Sequence, residues 1–385
     1  MNIGIDAHML GHNETGNETY ILELVRALAA RASGDTFFVY VENPDALPRE
    51  ILTAPHIRVI PYATRSSLRR LLGELPRRAA RDALDVLHIS YNAPLRLPAA
   101  CALVVTIHDI SFEHFPHFFS RRLHAFLKTS VPRSARAAQQ IITDTESTKQ
   151  DLIQTYRLPL EKITVTHYAA GAQFRRIPEG AALARVRAKY NTGEKFVLAV
   201  GNLQPRKNLE RLMRAFAEAK RDADLPHKLV IVGQRLWRAA PIFETARELT
   251  DAVILTGYVA AEDLPLLYNA ADIFAYPSLY EGFGLPVVEA MACGAPVLTS
   301  NVSCLPEIAG NAAHFIDPYD QTAIARALRR LATDDAYRSE LATRGLTRAR
   351  LFSWERTAQQ TLQVYYKAAV QKQPTVQLAS TRFFR

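Results

Sequence analysis

The chain is poor in cysteine, with three among 385 residues: Cys101, Cys293 and Cys304, all in apolar or turn contexts. None has metal-ligand spacing, and an odd, sparse count excludes a disulfide framework and suits thiols kept reduced in the cytosol. Long apolar runs are missing too. No window holds eighteen consecutive apolar residues, which excludes a membrane-spanning helix. The opening Met1-Asn2-Ile3-Gly4-Ile5-Asp6 lacks the basic-then-apolar order of a secretory leader and is expected to form a first strand. Nothing repeats at a fixed short period, so no solenoid is expected. Zinc-finger spacing and aromatic–basic RNA signatures are also missing, so no nucleic-acid partner is expected.

What remains is the composition of a globular protein, 48% hydrophobic and 22% charged. At roughly 150 residues per domain the length predicts two domains. The net charge of +9 is uneven. Residues 1–172 carry 19 Lys/Arg against 17 Asp/Glu, and residues 173–385 carry 28 against 21. Such an excess suits an anionic ligand or an anionic membrane surface.

Short apolar runs alternate with longer helical patterns. Ile3–Ile5, Phe37–Val41, Ile57–Ile60, Val86–Ile89, Leu103–Ile107, Ile141–Thr143 and Ile163–Thr166 read as strands. Within Tyr20–Arg31, Ile21, Leu24, Val25 and Leu28 recur on one helical face. The pattern restarts with strands at Phe196–Val200, Leu229–Val232, Val253–Leu255, Ile273–Tyr276 and Pro296–Thr299. Helices are expected at Leu209–Lys220, Ala261–Ala270 and Pro286–Cys293. Two sets of strand–helix alternation predict an α/β chain of two doubly wound parallel sheets. The join is expected within 168–195, where Gly171, Pro178, Gly180 and Gly193 interrupt the pattern. The polar segment Gln371–Arg385 is expected to be loosely ordered. Open α/β sheets bind ligands beyond the carboxyl ends of their strands, so the residues just after each strand carry the functional weight.

Two such places stand out. After the strand ending at Tyr276 comes Pro277-Ser278-Leu279-Tyr280-Glu281-Gly282-Phe283-Gly284-Leu285, and then a helix opening at Pro286 and stopping at Gly294. Loop amides and a helix N-terminus form an anion site, and glycines let a ligand approach the backbone. Glu281 and Glu289 flank it. An anion site bordered by acids suits a phosphate joined to hydroxyl-rich groups, that is, a sugar nucleotide. The alternative is a plain strand–loop–helix joint with two solvated glutamates. The second place is Val200-Gly201-Asn202-Leu203-Gln204-Pro205-Arg206-Lys207-Asn208. Arg206 and Lys207 stand at the start of a helix, where cations oppose the helix dipole, and that placement favours a bound anion. The alternative is a basic first turn on a surface helix.

Together these stretches resemble the donor-binding half of a retaining glycosyltransferase of the family 4 type, with the two-domain GT-B architecture. Glu281 and Glu289 match its E-x7-E motif, and 200–208 looks like its diphosphate-binding loop. Gly233, Thr256-Gly257-Tyr258 and Ala271-Asp272 fall in the family's order, so that 196–320 fits almost continuously. The resemblance implies a donor site built from Gly201, Asn202, Arg206, Lys207, Gly282, Phe283, Gly284, Leu285 and Glu289. Glu281 would contact hydroxyls of the transferred sugar, Glu289 the ribose, and Arg206 and Lys207 the diphosphate. It also implies a domain 1–170 that binds the acceptor, a domain 171–353 that binds the nucleotide sugar, and a last helix at about 354–371 crossing back to the first domain. Trp354, Leu362, Val364 and Tyr365 mark that helix. No metal or other cofactor is expected.

The first half fits the family through Thr106-Ile107-His108-Asp109, which ends a strand. His108 would then lie beside the transferred sugar; its alternative is a hydrogen-bonded histidine at a strand end. Gly11, Gly16 and Asn17 occupy the place of the glycine loop assigned to the acceptor, although the segment here is longer and more polar than the paired glycines of many relatives. Thr143–Ser147 reads as a helix N-cap, with Ser147 or Thr145 as the cap. Asp222-Ala223-Asp224 looks like an acid–x–acid metal motif but reads as a surface loop before Pro226.

The implied activity is transfer of a hexose from a nucleoside diphosphate sugar to a glycan or lipid-linked acceptor, with mannose from GDP-mannose favoured by family frequency. A sugar-nucleotide epimerase shares the architecture, and a non-catalytic sugar-nucleotide-binding relative is the other alternative. The continuous fit over Glu281–Gly294 speaks against the first, and the joint presence of Glu281, Glu289, Arg206 and Lys207 speaks against the second. Residues 65–78 add a basic amphipathic run with Leu68, Leu71, Leu72 and Leu75 on a helical stripe. Either it lies on an anionic membrane face, or its leucines pack inward and its arginines are solvated.

Overall fold

The computed structural model describes residues 1–12, 15–235, 239–249 and 252–372. Of the segment expected to be loosely ordered, 373–385 lies outside the described residues, as do Asn13 and Glu14 of the expected acceptor loop.

Seven strands form the first sheet: β1 (Asn2–Asp6), β2 (Thr36–Val41), β3 (Ile57–Pro61), β4 (Val86–Ser90), β5 (Ala102–Thr106), β6 (Gln140–Thr143) and β7 (Ile163–Val165). All pairings are parallel, in the order β3-β2-β1-β4-β5-β6-β7. Six form the second: β8 (Phe196–Val200), β9 (Lys228–Val232), β10 (Val253–Gly257), β11 (Ile273–Tyr276), β12 (Val297–Ser300) and β13 (Ala313–Ile316). They too are parallel, in the order β10-β9-β8-β11-β12-β13. Every residue of β4, β5 and β6 is buried, as expected of parallel strands covered on both faces. This is the two-sheet, doubly wound architecture expected from the sequence.

The helix Thr15–Ala29 lays Ile21, Leu24, Val25 and Leu28 into the core. The final helix, Trp354–Lys372, packs on that helix and on β5 and β6 of the first sheet. Its polar groups lock it there. Tyr365 Oη bonds His88 Nδ1 at 2.6 Å, Tyr366 donates to Asp35 at 2.6 Å, and Lys367 donates to the Glu161 carbonyl at 2.6 Å.

The order of each sheet reverses once, between β1 and β4 and between β8 and β11. The register of β8 on β11 pairs Val197 with Ile273 and Leu198 with Phe274, which brings their carboxyl ends level. The loops after these two strands therefore meet at the switch point, where such sheets bind ligands.

Residues 65–78 depart from the expected stripe. A short helix at Ser67–Arg69 widens into a π turn at Arg70–Glu74 before the helix Leu75–Arg81. The extra residue in the turn rotates the leucines apart. Leu75 is buried, whereas Leu68 and Leu72 are 67% and 49% exposed. The arginines split as well: Arg70 and Arg78 are buried, and Arg69 and Arg77 are exposed. Neither a wholly packed stripe nor a wholly solvated arginine face is present.

Candidate functional site

The loop after β8 enters a short 3₁₀ turn at Pro205–Lys207 and reverses through left-handed Asn208 (φ 58°) into the helix Leu209–Ala223. The Asn208 amide holds this turn by donating to the carbonyls of Pro277 at 3.1 Å and Pro318 at 2.7 Å. Gly201, at φ 148°, lies against Lys207. A Cβ there would meet Lys207 Cε at 3.1 Å, so the glycine leaves the lysine its path.

The loop after β11 supplies the counter-charge. Lys207 Nζ donates to Glu281 Oε1 at 2.7 Å and to Tyr276 Oη at 2.6 Å. Arg206 Nη1 donates to Glu281 Oε2 at 2.6 Å and to the Tyr280 carbonyl at 2.5 Å. All three side chains are largely withdrawn from solvent. Burial opposes ionisation of Glu281, but the two cations together hold its carboxyl down to about 2. Burial lowers the Lys207 pKa, and Glu281 offsets part of that fall. Removing either partner of such a buried pair strands the other charge.

Left-handed Gly284 (φ 88°) opens the helix Leu285–Cys293, with Pro286 in its first turn, and left-handed Gly294 (φ 76°) ends it. In its first turn Pro286 carries no amide hydrogen and the Val287 amide donates to the Gly284 carbonyl at 2.9 Å, so the Leu285 amide is the one this helix end can offer to an anion. Glu289, inside the helix, receives a hydrogen bond from Tyr268 Oη at 2.9 Å. Burial pushes its carboxyl up to about 7 against the pull of that bond. Both glutamates are more than nine-tenths buried, which removes the alternative of two solvated acids on a plain joint.

The facing side comes from the first sheet. His108 follows β5 and is buried. Its Nδ1 lies 3.2 Å from Asp144 Oδ2 and also contacts Tyr168 Oη. The ionised carboxylate can only accept, so the network assigns the Nδ1 proton to this pair and leaves Nε2 as an acceptor. That Nε2 is buried without a partner among the described residues. Burial raises the Asp144 pKa, and His108 offsets part of the rise. Aromatic rings fix the imidazole. Tyr20 meets it edge-on at 5.1 Å and stacks on Tyr168 at 4.8 Å, while Tyr168 stacks on Trp354 at 5.5 Å and lies 4.9 Å from Phe283.

Gly282 joins the two halves. A Cβ there would lie 2.2 Å from the His108 carbonyl oxygen, so only glycine fits. The Gly282 carbonyl accepts from Thr145 Oγ1 at 3.0 Å. Thr145 also caps the helix Glu146–Tyr156, as expected. At the same helix end, the amides of Glu146 and Ser147 donate to the Glu307 carboxylate at 3.0 Å each, and Glu307 also bonds His167 at 2.9 Å.

The structure thus brings together Arg206, Lys207, Glu281, Gly282 and His108, with Gly201, Phe283, Gly284 and Leu285 around them. Asn202 stands in the same loop, and Glu289 lies one turn into the helix. Gly11, Gly16 and Asn17 lie apart. The Gly11 amide (φ 86°) donates to the Glu18 carboxylate at 2.6 Å, and Gly16 and Asn17 sit in the first turn of the helix Thr15–Ala29. That helix reaches the cluster through Tyr20, which sequence reasoning passed over, as it did Asp144 as a partner of His108, Tyr168, Tyr276, Tyr268 and Glu307. Asp144 carried a usable signal, a carboxylate one residue beyond a buried strand. Asp222 pairs with Arg221 and Arg329 on the surface, and no cluster of three potential metal ligands occurs among the described residues.

Comparison with known proteins finds a family match for each half of the chain. The family described as Glycosyltransferase Family 4 matches residues 15–169, and the family described as Glycosyl transferases group 1 matches residues 183–348. The chain is 33% identical over 371 residues to O-antigen chain mannosyltransferase B of Escherichia coli, covering 91% of this chain and 96% of the relative. It is 27% identical to O-antigen chain mannosyltransferase RfbU of Salmonella typhimurium, covering 85% of this chain and 90% of that one. Among solved structures, sucrose-phosphate synthase from Thermosynechococcus elongatus superposes with a TM-score of 0.75 at 22% identity, over 96% of this chain and all of the other, which shows the shared GT-B fold.

Proposed function

Since the chain belongs to glycosyltransferase family 4, with both halves of the GT-B fold matched, we propose that it moves a hexose, with retention of anomeric configuration, from a nucleoside diphosphate sugar to a glycan or lipid-linked acceptor. The hexose is mannose and the donor GDP-mannose, a choice supported by the relatives named as O-antigen mannosyltransferases. The product belongs to a surface polysaccharide of that type. The observation that carries the reading is the junction of Arg206, Lys207 and Glu281 beside the helix end at Leu285, with His108 facing it across Gly282.

In this reading the donor diphosphate binds Arg206, Lys207 and the amides of Gly284 and Leu285, in the loop that Gly201, Asn202, Gly282 and Phe283 shape. As diphosphate enters, the two cations turn toward it and Glu281 is freed to accept from hexose hydroxyls. Glu289 accepts from the ribose. His108 offers Nε2 to a hydroxyl of the transferred sugar. The acceptor enters along Gly11, Gly16 and Asn17. As the glycosidic bond to the diphosphate breaks, the leaving oxygen takes the acceptor's proton on the same face of the sugar. The new bond then forms with the configuration kept. Arg206, Lys207 and the helix end stabilise the leaving charge, the service a metal ion gives in other transferases, so no metal is required. The domain division at 170/171 is retained in this reading. The chain works in the cytoplasm against an anionic membrane face.

The test is transfer of labelled mannose from GDP-mannose to a polyprenyl-linked oligosaccharide, in EDTA, with the anomeric configuration read by NMR. Retained configuration and a large loss of transfer in Glu281→Gln, with nucleotide binding preserved, are expected. Inversion, full transfer by that variant, or isomerised donor without transfer would refute the assignment.

A further inference from the structure

A groove of about 720 Å³ opens beyond the carboxyl end of β3, outside the donor site, walled by Leu68, Arg69, Leu72, Arg77, Arg78 and Arg81. Its charge is one-sided, since Glu74 is the only acid among its lining residues. Glu74 Oε1 accepts from Arg78 Nε at 2.9 Å and from the Ala63 amide at 2.8 Å, while its Oε2 is buried with no hydrogen-bond partner among the described residues. Arg81 pairs with Asp82 at 2.8 Å. Arg69 and Arg77 are exposed, and no ion-pair partner for either occurs among the described residues. The Arg78 side chain is about nine-tenths buried, yet its Nη1 has no hydrogen-bond partner among the described residues. A buried cationic donor left unpaired is costly, and an incoming anion would satisfy it. Guanidinium forks match phosphate oxygens in pairs. Beside these cations Leu68 and Leu72 are uncovered. The groove therefore offers, side by side, what a phosphate needs and what an apolar chain needs.

We propose that this groove takes the phosphorylated head of an amphiphile, one or two phosphates esterified to an apolar chain, and so anchors the lipid-linked acceptor. The inference rests on the transferase reading above and adds where the acceptor's lipid phosphate sits. The π turn at Arg70–Glu74 serves it by turning Leu72 and Arg69 outward together while Arg78 stays inside.

The probe is farnesyl diphosphate, titrated into the full chain with saturating GDP so that the donor site is occupied, with inorganic pyrophosphate and phosphatidylglycerol vesicles as comparisons. Farnesyl diphosphate is expected to bind more tightly than pyrophosphate. The double variant Arg69→Ala/Arg77→Ala should weaken it at least tenfold. Leu68→Ser/Leu72→Ser should weaken it toward pyrophosphate and leave pyrophosphate unchanged. These four side chains are exposed, so the GDP-induced thermal shift should be the same in all variants and reports an intact donor site. No binding of farnesyl diphosphate, binding unchanged in the arginine variant, or displacement by GDP would overturn the proposal. Arginine-dependent binding to vesicles alone would overturn it too, by making the segment a bilayer contact. A normal GDP shift beside any of these results leaves the donor reading standing. Loss of the GDP shift with farnesyl diphosphate still bound would count against the donor reading alone.

Discussion

Glu289 should make donor binding rise with pH through neutrality. Its carboxyl is buried, held up at about 7, and bonded to Tyr268. A carboxylate that accepts from two ribose hydroxyls must be ionised, so donor binding has to drive the proton off. At pH 6 about one tenth of the free protein has Glu289 ionised, and at pH 8 about nine tenths, a difference of about 1.4 kcal/mol in the binding free energy. The dissociation constant of GDP-mannose should therefore fall about tenfold between pH 6 and pH 8. The diphosphate of a nucleotide sugar is esterified at both ends and does not titrate in that window, so the change belongs to the protein. The free protein should move the other way. A carboxyl raised from 4.5 to about 7 on folding favours the folded state fully below 4.5 and loses that advantage as pH rises through 7, a change of about 3 kcal/mol in all. Calorimetric titration of GDP-mannose at pH 6, 7 and 8 reads the first effect, and the melting temperature of the free protein reads the second. Glu289→Gln should abolish both slopes. Tyr268→Phe should move the binding transition to higher pH by removing a bond that favours the anion. A dissociation constant flat from pH 6 to pH 8 in the native chain, or a slope that survives in Glu289→Gln, would refute the assignment of Glu289 to the ribose.

Other predictions concern the junction. Lys207→Ala should weaken GDP binding about tenfold or more and GMP binding far less, because one charge-assisted contact to the second phosphate is lost; equal losses in calorimetry would move the phosphate site. Gly282→Ala places a methyl group 2.2 Å from the His108 carbonyl. It should cost about 1–3 kcal/mol of stability and lower kcat more than donor affinity; native-like stability and turnover would show that the two halves do not need this approach. Asp144→Asn should lower kcat with little change in donor KM, because His108 loses the group that fixes its Nδ1 proton; unchanged kcat would make the pair structural. Tyr365→Phe leaves buried His88 Nδ1 without its partner and should lower stability by about 1–3 kcal/mol, measured by urea unfolding, with donor affinity intact.

Much of the fold was legible because parallel strands buried on both faces are short continuous apolar runs. Phe196–Val200 and Ile273–Tyr276 were read to the residue. β13 was passed over because Ala313–Ile316 sits at a sheet edge, where His314 and Phe315 are only half-buried and make no apolar run. The helix Arg121–Ala137 was hidden by Pro132 in its interior. The two loops after β8 and β11 were legible as candidates because glycine, proline and paired charges follow strands at fixed spacing. Their partners were not. Asp144, Tyr168 and Tyr20 lie far apart in sequence and meet only when β5, β6, the first helix and the linker converge. The leucine stripe at 68–75 failed for a local reason. A π turn changes the residues per turn, and a 3.6-residue periodicity cannot anticipate it.

The most direct test of the donor site is a thermal-shift panel of GDP, UDP and ADP with and without EDTA. A ligand that binds only the folded state at about 100 times its dissociation constant adds about 2.7 kcal/mol, a readily measured shift. The account predicts a clear response to GDP, unchanged by EDTA and cut to about half or less in Lys207→Ala. A response that requires metal, or none to any nucleoside diphosphate, would contradict it.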